Sequence, residues 1–278
     1  MPEIPRNTAA QTCDTAGMVL GIDVSAYQRS ISWKAIAAAG IEFGFIKATE
    51  GTSYVSPSYQ PHRKAARRRG IPVGAYHFAR PDFDDGPEAE ADHFLEVAAP
   101  RAGDLLPVLD LERFGSTRRE TARWARRWLK RVEKRIGESP ILYTYSSFAQ
   151  SLAGHEGGLT RFPLWLANYG KNDGRAHRVT PVGDWPSIAV HQFTSEGRIP
   201  GYAGPLDLNR LMKGWTLDQL RLGAEPAPAP GFGPPWTLAA RGEVLHETRR
   251  LDAAFLERVA EQAKAGGAAT VRGTPREP

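Results

Sequence analysis

The sequence predicts a mixed α/β fold, a barrel whose last third is irregular, followed by a short C-terminal appendage. Three observations lead to this prediction. Eight short apolar runs are typical of buried strands, the first five alternate with helical patterns, and polar residues cluster where the runs end. In parallel barrels the carboxyl ends of the strands lie on one face, where the chemistry takes place. An open doubly wound sheet is the competing architecture, but no glycine-rich dinucleotide turn follows the first run.

The first five strands alternate with four well-marked helices. The strands are predicted at residues 19–24, 43–48, 71–78, 106–112 and 141–145, and the first three helices at residues 32–39, 57–69 and 87–98. The fourth helix begins at Thr117, which forms a capping-box pattern with Glu120, and it ends at Gly137. Trp124 and Trp128 lie on its apolar face. We assign both tryptophans to the core.

The last three strands are joined mainly by loops and are predicted at residues 164–169, 188–193 and 206–209. Five segments follow along the whole chain: an N-terminal arm (1–17), a barrel (18–222), a linker rich in proline, glycine and alanine (223–235), a small helical docking segment (236–265) and a disordered tail (266–278). Leu251, Phe255 and Val259 recur at helical spacing in the docking segment. A helix this short needs a partner surface, either the barrel or another protein.

Length and composition exclude several classes of protein. The 278 residues suit one large domain with an appendage, and 41% of them are hydrophobic. No run approaches the roughly 20 apolar residues of a membrane span. Residues 1–17 contain no apolar core of the kind that secretory signals carry. Cys13 is the single cysteine, so the sequence predicts neither an internal disulfide nor a cysteine metal site.

The balance of charge is basic. A formal charge of +5 and a pI near 9.4 favour polyanionic surroundings. No nucleic-acid-binding motif is present, so we expect no nucleic-acid partner. The basic run Arg63, Lys64 and 67–69 is interpreted as a solvated helix face, with weak attraction to an anionic cell wall as the alternative.

Asp110 and Glu112 follow the fourth apolar run and are two residues apart. On a strand, two such side chains point to the same face. Like charges this close raise one pKa, so one group can hold a proton while the other stays ionised. Cleavage of a glycosidic bond needs this division of roles. The alternative is a pair of solvated acids that cap the next helix or pair with arginines.

Acids, amides and aromatics follow the other predicted strands, a combination that is typical of carbohydrate sites. The residues at these ends include Asp23, Glu50, Tyr76, His77, Tyr143, Trp165, Tyr169, Gln192, Asp207 and Asn209. Glu50 has an alternative interpretation as a loop acid that pairs with a lysine or arginine. His77 has an alternative interpretation as a buried, hydrogen-bonded histidine.

Six short motifs occur in order along the predicted barrel: GIDVS at 21–25 with Gln28, FIKATEG at 45–51, GAYHF at 74–78, LDLE at 109–112, LWLANY at 164–169 and LDLN at 206–209. In this order they resemble the family 25 glycoside hydrolases, the muramidases of the Chalaropsis and Cellosyl type. Each motif alone is weak, whereas six in family order are highly specific. The resemblance covers about residues 19–222.

The resemblance implies an irregular (β/α)5(β)3 TIM-like barrel that hydrolyses the β-1,4 bond between N-acetylmuramic acid and N-acetylglucosamine in peptidoglycan. By matched position, Glu112 would be the general acid and Asp110 the carboxylate that stabilises the positive centre. Asp23 and Asp207 would be further active-site acids. The candidates for substrate binding are Tyr76, Tyr143, Trp165, Tyr169, Gln192 and Glu50. No metal and no cofactor are expected.

Three routes remain open for the chemistry. On a regular strand the two Cβ atoms would lie about 6.6 Å apart, which does not separate direct attack from inversion. In the third route the substrate's own 2-acetamido oxygen attacks the anomeric carbon, and Asp110 holds the resulting oxazolinium. We favour this route because an Asp two residues before the acid Glu is placed similarly in family 18 chitinases, which use substrate assistance.

Two other functions compete with a muramidase. A chitinase of that class would have an Asp at position 108, where this chain has Val108. A glycan-binding barrel that does not cut would need the aromatics but not the four acids. Because peptidoglycan lies outside the cytoplasm and no signal peptide is visible, we expect a phage lysin or an injected effector that acts in the cell wall or periplasm. The segment 236–265 would then bind a delivery apparatus, a phage particle or an immunity protein.

Overall fold

A computed structural model describes residues 17–223, apart from 29, 84, 156 and 181, and the backbone of residues 232–240, 243–248 and 269–275. The chain divides into two compact units, Met1–Gly223 and Ala224–Pro278. Among the described residues, no helix combines the length and the apolar character that a membrane crossing requires. The residues 1–16 of the predicted arm, with Cys13, lie outside the described residues.

The first unit contains a closed barrel of eight strands. In chain order the strands of this unit are β1 (Leu20–Val24), β2 (Ile41–Glu50), β3 (Tyr54–Val55), β4 (Val73–Phe78), β5 (Val108–Asp110), β6 (Ile141–Tyr145), β7 (Leu164–Ala167), β8 (Val190–Gly197) and β9 (Leu206–Leu211). The barrel order is β1-β2-β4-β5-β6-β7-β8-β9, and β9 closes it by pairing with β1. β3 extends β2 as a short antiparallel hairpin strand outside the ring.

Five helices follow the first five barrel strands: α1 (Trp33–Ala38), α2 (Tyr59–Arg67), α3 (Pro87–Ala98), α4 (Arg118–Ile136) and α5 (Ser146–Ser151). The side chain of Thr117 caps α4 by accepting a hydrogen bond from the backbone N–H of Glu120 (3.2 Å). Gly137 ends α4 in the left-handed region (φ +79°), which costs glycine little. Five β/α repeats followed by three strands confirm the predicted irregular (β/α)5(β)3 barrel.

The direction of β9 differs from the other barrel strands. Strands β1 to β8 run parallel to their neighbours around the ring, whereas β9 is antiparallel to both β8 and β1. The sequence analysis placed Asp207 at the carboxyl end of its strand, which is wrong. Asp207 lies near the start of β9, and the reversal brings this start to the rim, where Asp207 pairs in register with Asp23.

β5 is shorter than predicted, because it covers Val108–Asp110 instead of residues 106–112. The preceding residues pair elsewhere: Leu105 bridges to Arg221, and the backbone N–H of Leu106 donates to the carbonyl of Leu220 (2.7 Å). Glu112 therefore lies in the loop after the strand. The strand alternation that the sequence analysis used does not itself orient its side chain.

Apolar side chains form two layers of core. Inside the barrel, Phe43 and Phe45 of β2 are fully buried, and Phe45 stacks on Trp165 with ring centroids 4.4 Å apart. Between barrel and helices, Trp128 of α4 is fully buried. Trp124 is half-buried and packs against the same layer. Burial of one large apolar side chain contributes about 1.5–3 kcal/mol, so these layers hold the strand ends in place.

Arg63 lies on α2, which was predicted to present a solvated basic face. The prediction is wrong for this residue, because Arg63 is buried. Its guanidinium donates to the carbonyls of Ala98 and Ala99 (both 3.0 Å) and to the carboxylate of Asp104 (2.7 Å). The end of α3 leaves these carbonyls without helical partners, and Arg63 satisfies them away from water.

The second unit is a three-stranded antiparallel sheet in the order β11-β10-β12. Its strands are β10 (Phe232–Ala240), β11 (Glu243–Thr248) and β12 (Ala269–Pro275). Three predictions are therefore wrong where the strands lie: the linker at 232–235, the helical segment at 236–240 and 243–248, and the disordered tail at 269–275. Local composition gave the wrong predictions because these strands are stabilised by pairing with segments that are distant in the chain. The rest of the predicted docking helix, with Leu251, Phe255 and Val259, lies outside the described residues.

Candidate active site

A cavity of about 300 Å³ opens at the carboxyl ends of the parallel barrel strands. Acids, aromatics, amides and one lysine form most of its wall. The lining residues are Asp23, Val24, Ser25, Tyr27, Gln28, Lys47, Tyr76, Phe78, Asp110, Glu112, Tyr143, Trp165, Tyr169, Gln192 and Asp207. The four acids proposed from the sequence all line the cavity, as do the five proposed aromatic and amide residues. Glu50 is the one proposed site residue that does not.

Asp110 and Glu112 form the centre of the acid cluster. Asp110 is the last residue of β5, and Glu112 lies just beyond it, so that each carboxyl group influences the pKa of the other. Burial raises the pKa of Asp110 well above its ordinary value, and the charge of Glu112 adds to this effect. Burial also raises the pKa of Glu112. Since two adjacent ionised carboxylates repel each other, these raised pKa values favour a pair that holds one proton over a pair that is doubly charged.

One oxygen of Asp110 has no partner. Oδ1 is buried and makes no hydrogen bond to any described protein group. Leaving a buried acceptor unpaired is costly, so the site carries a desolvation cost at this atom.

Asp23 is held by two amides. Its Oδ2 accepts hydrogen bonds from Nε2 of Gln192 and Nδ2 of Asn209, both at 2.8 Å. Burial raises the pKa of Asp23 to about 6, with the charge of Glu112 contributing, while the two hydrogen bonds limit the rise. Asp23 therefore remains largely ionised at neutral pH in a fixed orientation.

Both amides are oriented by a second set of donors. Tyr143 and Tyr169 donate their hydroxyl groups to Oε1 of Gln192 at 2.9 and 2.8 Å. Trp165 Nε1 donates to Oδ1 of Asn209 at 2.8 Å. Each amide oxygen thus accepts from an aromatic group, which leaves its NH₂ group to donate to Asp23. The aromatics predicted to bind substrate therefore also position an acid.

Asp207 lies opposite Asp23 on the neighbouring strand. Burial raises the pKa of Asp207 to about 8, and the negative charges of Asp23 and Glu112 add to the effect. Asp207 is consequently mostly protonated at neutral pH in the empty cavity. A protonated carboxyl group can donate a hydrogen bond as well as accept one.

Tyr76 of β4 faces the whole acid cluster. Burial raises its pKa well above the ordinary value, and the charges of Asp23, Asp110, Asp207 and Glu112 add to this rise. The phenol stays neutral over the whole physiological range. It can donate a hydrogen bond to the acids or to a bound hydroxyl group.

Lys47 is a cavity residue that the sequence analysis did not propose. It continues the inward-facing alternation of Phe43 and Phe45 along β2, a signal that points to the cavity. Its Nζ lies 2.7 Å from Oε2 of Glu50 and 4.6 Å from the centre of the Phe78 ring. The positive charge opposes the upward pKa shifts of the two central carboxyls.

Glu50 follows the alternative interpretation that the sequence left open. It forms ion pairs with Lys47 and, at 3.1 Å, with Arg80, and it lies outside the cavity wall. Its contact with the site passes through Lys47. His77 also follows its alternative, because it is fully buried, hydrogen-bonded to Thr49 (2.8 Å) and Glu90 (2.7 Å) and stacked on Trp128.

Two further residues were underestimated from the sequence. Asn209 was noted at a strand end but not proposed for the site, although it lies two residues after Asp207 on the same strand. Tyr27 follows the first strand, lines the cavity and is 90% exposed, so its ring is available for stacking at the rim. Within the residues that the structure describes, no group of three or more His, Cys, Asp or Glu side chains is arranged to hold a metal ion.

The arrangement can perform acid and carboxylate chemistry on a polyhydroxylated ligand. It offers a carboxyl pair whose pKa values are both raised, a third carboxylate in fixed orientation and a fourth carboxyl that is mostly protonated. Aromatic rings flank these groups and can stack on sugar rings. Groups whose environments raise their pKa values to different extents are the usual acid and base of a site.

Comparisons with known proteins agree with this chemistry. Residues 22–202 match the model of the family described as glycosyl hydrolases family 25. Lysozyme M1 of Streptomyces globisporus is 33% identical over 208 residues, which are 71% of this chain and 68% of that protein. The N,O-diacetylmuramidase of Chalaropsis sp. is 34% identical over 189 residues, 63% of this chain and 87% of that protein. The crystal structure of a lysozyme from Streptomyces coelicolor superposes with a TM-score of 0.64 at 30% identity, covering 73% of this chain and 95% of that one.

Proposed function

We propose that this chain is a lysozyme that cleaves peptidoglycan. The chain belongs to the family 25 glycosyl hydrolases and is therefore a glycoside hydrolase. The bond would be the β-1,4 linkage between N-acetylmuramic acid and N-acetylglucosamine. The observation that carries the proposal is the Asp110–Glu112 carboxyl pair, which lines a cavity with aromatic walls and whose two pKa values are both raised. The names lysozyme and N,O-diacetylmuramidase among its relatives support the substrate.

Glu112 is the general acid in this proposal. It is less buried than Asp110 and lies beyond the strand end, so it can reach the oxygen of the scissile bond. Its proton passes to the leaving oxygen as the bond to the anomeric carbon breaks, and the carboxylate that remains can later deprotonate the attacking water. General acid catalysis of this kind contributes about 10²–10⁴-fold to the rate.

Asp110 then acts as the stabilising carboxylate. As the glycosidic bond breaks, positive charge develops on the sugar, and an ionised Asp110 offsets that charge. We favour the route in which the 2-acetamido oxygen of the substrate attacks the anomeric carbon. The unpartnered Oδ1 of Asp110 supports this route, because it can accept the acetamido N–H and hold the oxazolinium. The product would then retain its anomeric configuration.

Two alternatives are weaker on the same observations. A barrel that only binds glycan would have no use for a carboxyl pair that is costly to bury. A chitinase-like hydrolase would have an acid at position 108, and Val108 is instead a fully buried apolar residue of the barrel interior.

The test is the digestion of purified peptidoglycan, with the products reduced by borohydride and identified by mass spectrometry. The wild type should release reduced muramic acid ends, and Glu112→Gln should release fewer by about 10²-fold or more. Glu42→Gln is the matched control, because Glu42 is exposed at the start of β2, at the other end of the barrel. Reduced glucosamine ends would refute the proposed bond. Bound but uncut glycan would favour the binding barrel.

We also propose that the protein acts in the bacterial wall or periplasm, delivered as a phage lysin or as an injected effector. The location of the substrate outside the cytoplasm supports this proposal. Expression in the cytoplasm of a test bacterium should be tolerated, whereas the same chain directed to the periplasm should cause lysis. Lysis from the cytoplasm without any membrane-permeabilising partner would contradict it.

A further inference from the structure

Helix α4 carries a stripe of positive charge along its outer face. The stripe consists of Arg119, Arg123, Arg126, Lys130 and Lys134, spaced three or four residues apart. Such spacing places side chains on one face of a helix. All five are exposed except Arg126, which is half-buried. At 1.5 Å per residue the stripe is about 22 Å long.

The acids on the neighbouring helix are engaged with other arginines. Glu88 of α3 forms a two-pronged ion pair with Arg127 (2.8 and 2.6 Å). Asp92 of α3 pairs with Arg131 in the same way (both 2.8 Å). These pairs join the side of α4 that faces α3, so Glu88 and Asp92 are already paired with arginines beside the stripe.

The two acids of α4 itself are also engaged. Glu120 accepts hydrogen bonds from Ser116 and from Thr117 (2.9 Å) at the start of the helix. Glu133 accepts from Ser139 (2.6 Å) and pairs with Arg161. Glu120 thus completes the cap of α4, and Glu133 pairs with an arginine outside the stripe.

Most of the stripe lacks a direct ion pair, and its nearest compensating charges are those of Glu120, near Arg119 and Arg123, and of Glu133, near Lys130. Within the described part of the chain, Arg119, Arg123, Lys130 and Lys134 form no ion pair within 4.0 Å, and Arg126 donates to the neutral carbonyl of Gly157. Like charges four residues apart repel and weaken a helix. A line of negative charge along this face would relieve the repulsion.

We propose that this stripe binds a linear, phosphate-bearing polymer of the bacterial cell wall, of the teichoic acid class. The inference rests on the proposed function, which places the protein beside such polymers. The stripe begins just after the loop 113–117 that follows Glu112, so a polymer bound along it would lead away from the cavity mouth. A polymer held there would keep the barrel on the wall between cuts.

The shape of the helix surface favours a polymer over a membrane. Helices that lie in a membrane surface bury exposed apolar residues in the lipid. On α4 the large apolar side chains face the barrel: Trp128 and Leu129 are fully buried, and Trp124 is half-buried against the core. The outer face offers charge without an apolar anchor.

The test compares binding to intact walls that carry teichoic acid with binding to the same walls after the polymer is removed with hydrofluoric acid. Full-length protein carrying Glu112→Gln prevents digestion during the measurement. The stripe variant is R123Q/K130Q/K134Q. The matched control is K64Q/R68Q/R69Q on and after α2, which removes the same net charge from another exposed surface.

The parent should bind intact walls at least about tenfold more tightly than stripped walls, and added salt should remove the difference. The stripe variant should lose this preference, and the control variant should keep most of it. Purified poly(glycerol phosphate) should compete with the walls. Equal binding to both wall preparations, or equal losses in the two variants, would overturn the proposal. Preferential binding to anionic vesicles or to DNA over poly(glycerol phosphate) would overturn it as well.

Failure of the proposed hydrolase function can be told apart from failure of the proposed polymer binding. Without Glu112→Gln, both charge variants should digest soluble, stripped peptidoglycan at the wild-type rate, because their changed residues lie outside the cavity. If the wild type itself released no reducing ends from this peptidoglycan, the proposed activity would be refuted. The binding data would still decide the role of the stripe.

Discussion

The barrel buries a carboxylate at each of its two ends, and the charges that surround these two carboxylates are opposite in sign. At the end opposite the cavity, Asp104 is almost fully buried and accepts hydrogen bonds from Arg63 (2.7 Å), Arg67 and the backbone of Arg101 (3.2 Å). At the cavity end, Asp110 is equally buried, has another acid as its neighbour and leaves one oxygen unpaired. The two sites have similar burial and differ in the sign of the surrounding charge.

This difference separates a structural use of buried charge from a chemical one. A buried carboxylate between arginines is compensated, so its removal leaves uncompensated positive charge and weakens the fold. A buried carboxylate among other carboxyls is destabilised in its charged form, and the cost appears as raised pKa values. Active sites commonly store such destabilisation, and relieving it raises stability while activity falls. Four predictions test or sharpen this contrast.

Asp110→Asn should have the largest effect on activity. Loss of the stabilising carboxylate should lower kcat by about 10²–10³-fold, the range found when one group aimed at developing charge is removed. The melting temperature should stay the same or rise, because a buried acid beside Glu112 is removed. Release of reducing ends and scanning calorimetry measure the two effects. A fall in melting temperature would contradict the interpretation of the cluster as a strained site.

Asp104→Ala should show the reverse pattern. Removing the partner of the buried Arg63 should lower the free energy of unfolding by about 3 kcal/mol, as for other broken buried ion pairs. Activity well below the melting temperature should remain close to that of the wild type. Urea unfolding measures the stability change. Glu88→Ala breaks an exposed ion pair and serves as the control, with an expected loss below about 1 kcal/mol.

Lys47→Met should move the pH dependence of hydrolysis to higher pH. The charge of Lys47 lowers the pKa of both Asp110 and Glu112. Without it, Asp110 ionises and Glu112 deprotonates at higher pH, so both limbs of the kcat/KM profile should shift upward. Lys47→Arg should restore the profile, and Lys213→Met, on an exposed loop, should leave it unchanged. A uniform loss of rate without a shift would mean that Lys47 acts only through packing.

Asp207→Asn should have the smallest effect, on the pH dependence of stability. The folded pKa of Asp207 is about 8 and its ordinary value is 3.8, so the folded state binds the extra proton between these values. The free energy of unfolding of the wild type should therefore fall as pH rises from about 4 to about 8. The variant should lose part of this slope, by less than the roughly 6 kcal/mol that the full shift would carry, because the neighbouring carboxyl groups take up part of the titration. Identical slopes would show that Asp207 does not carry this titration.

The sequence predicted the structure correctly where a feature depends on residues that are close together in the chain. The period of the apolar residues revealed α4, the side chain of Thr117 capped it, and Gly137 ended it, because each feature depends on residues within a few positions. The motifs also identified the four acids, since each one lies within or directly beside an apolar run of the sequence. These features establish the barrel and most residues of the cavity.

The sequence predicted the wrong structure where the conformation or burial of a residue depends on a partner that is distant in the chain. The composition of residues 232–235 is that of a linker, yet they pair in the sheet of the second unit. Arg63 belongs to a basic run on α2, which predicts a solvated side chain, yet the end of α3 and Asp104 enclose it. Lys47 is a charged residue on a buried strand, and only the cavity at the strand end explains its position.

The sequence by itself therefore determined the order of the eight barrel strands, the first four helices and the acids that the site would use. Only the tertiary structure decided how those acids meet. The reversal of β9 brings Asp207 to Asp23, and the ring closure brings Gln192 and Asn209 onto the same carboxylate. The physical reason is that hydrophobic period and capping act over a few residues, whereas strand direction and the solvation of a buried charge depend on residues that are far apart in the chain.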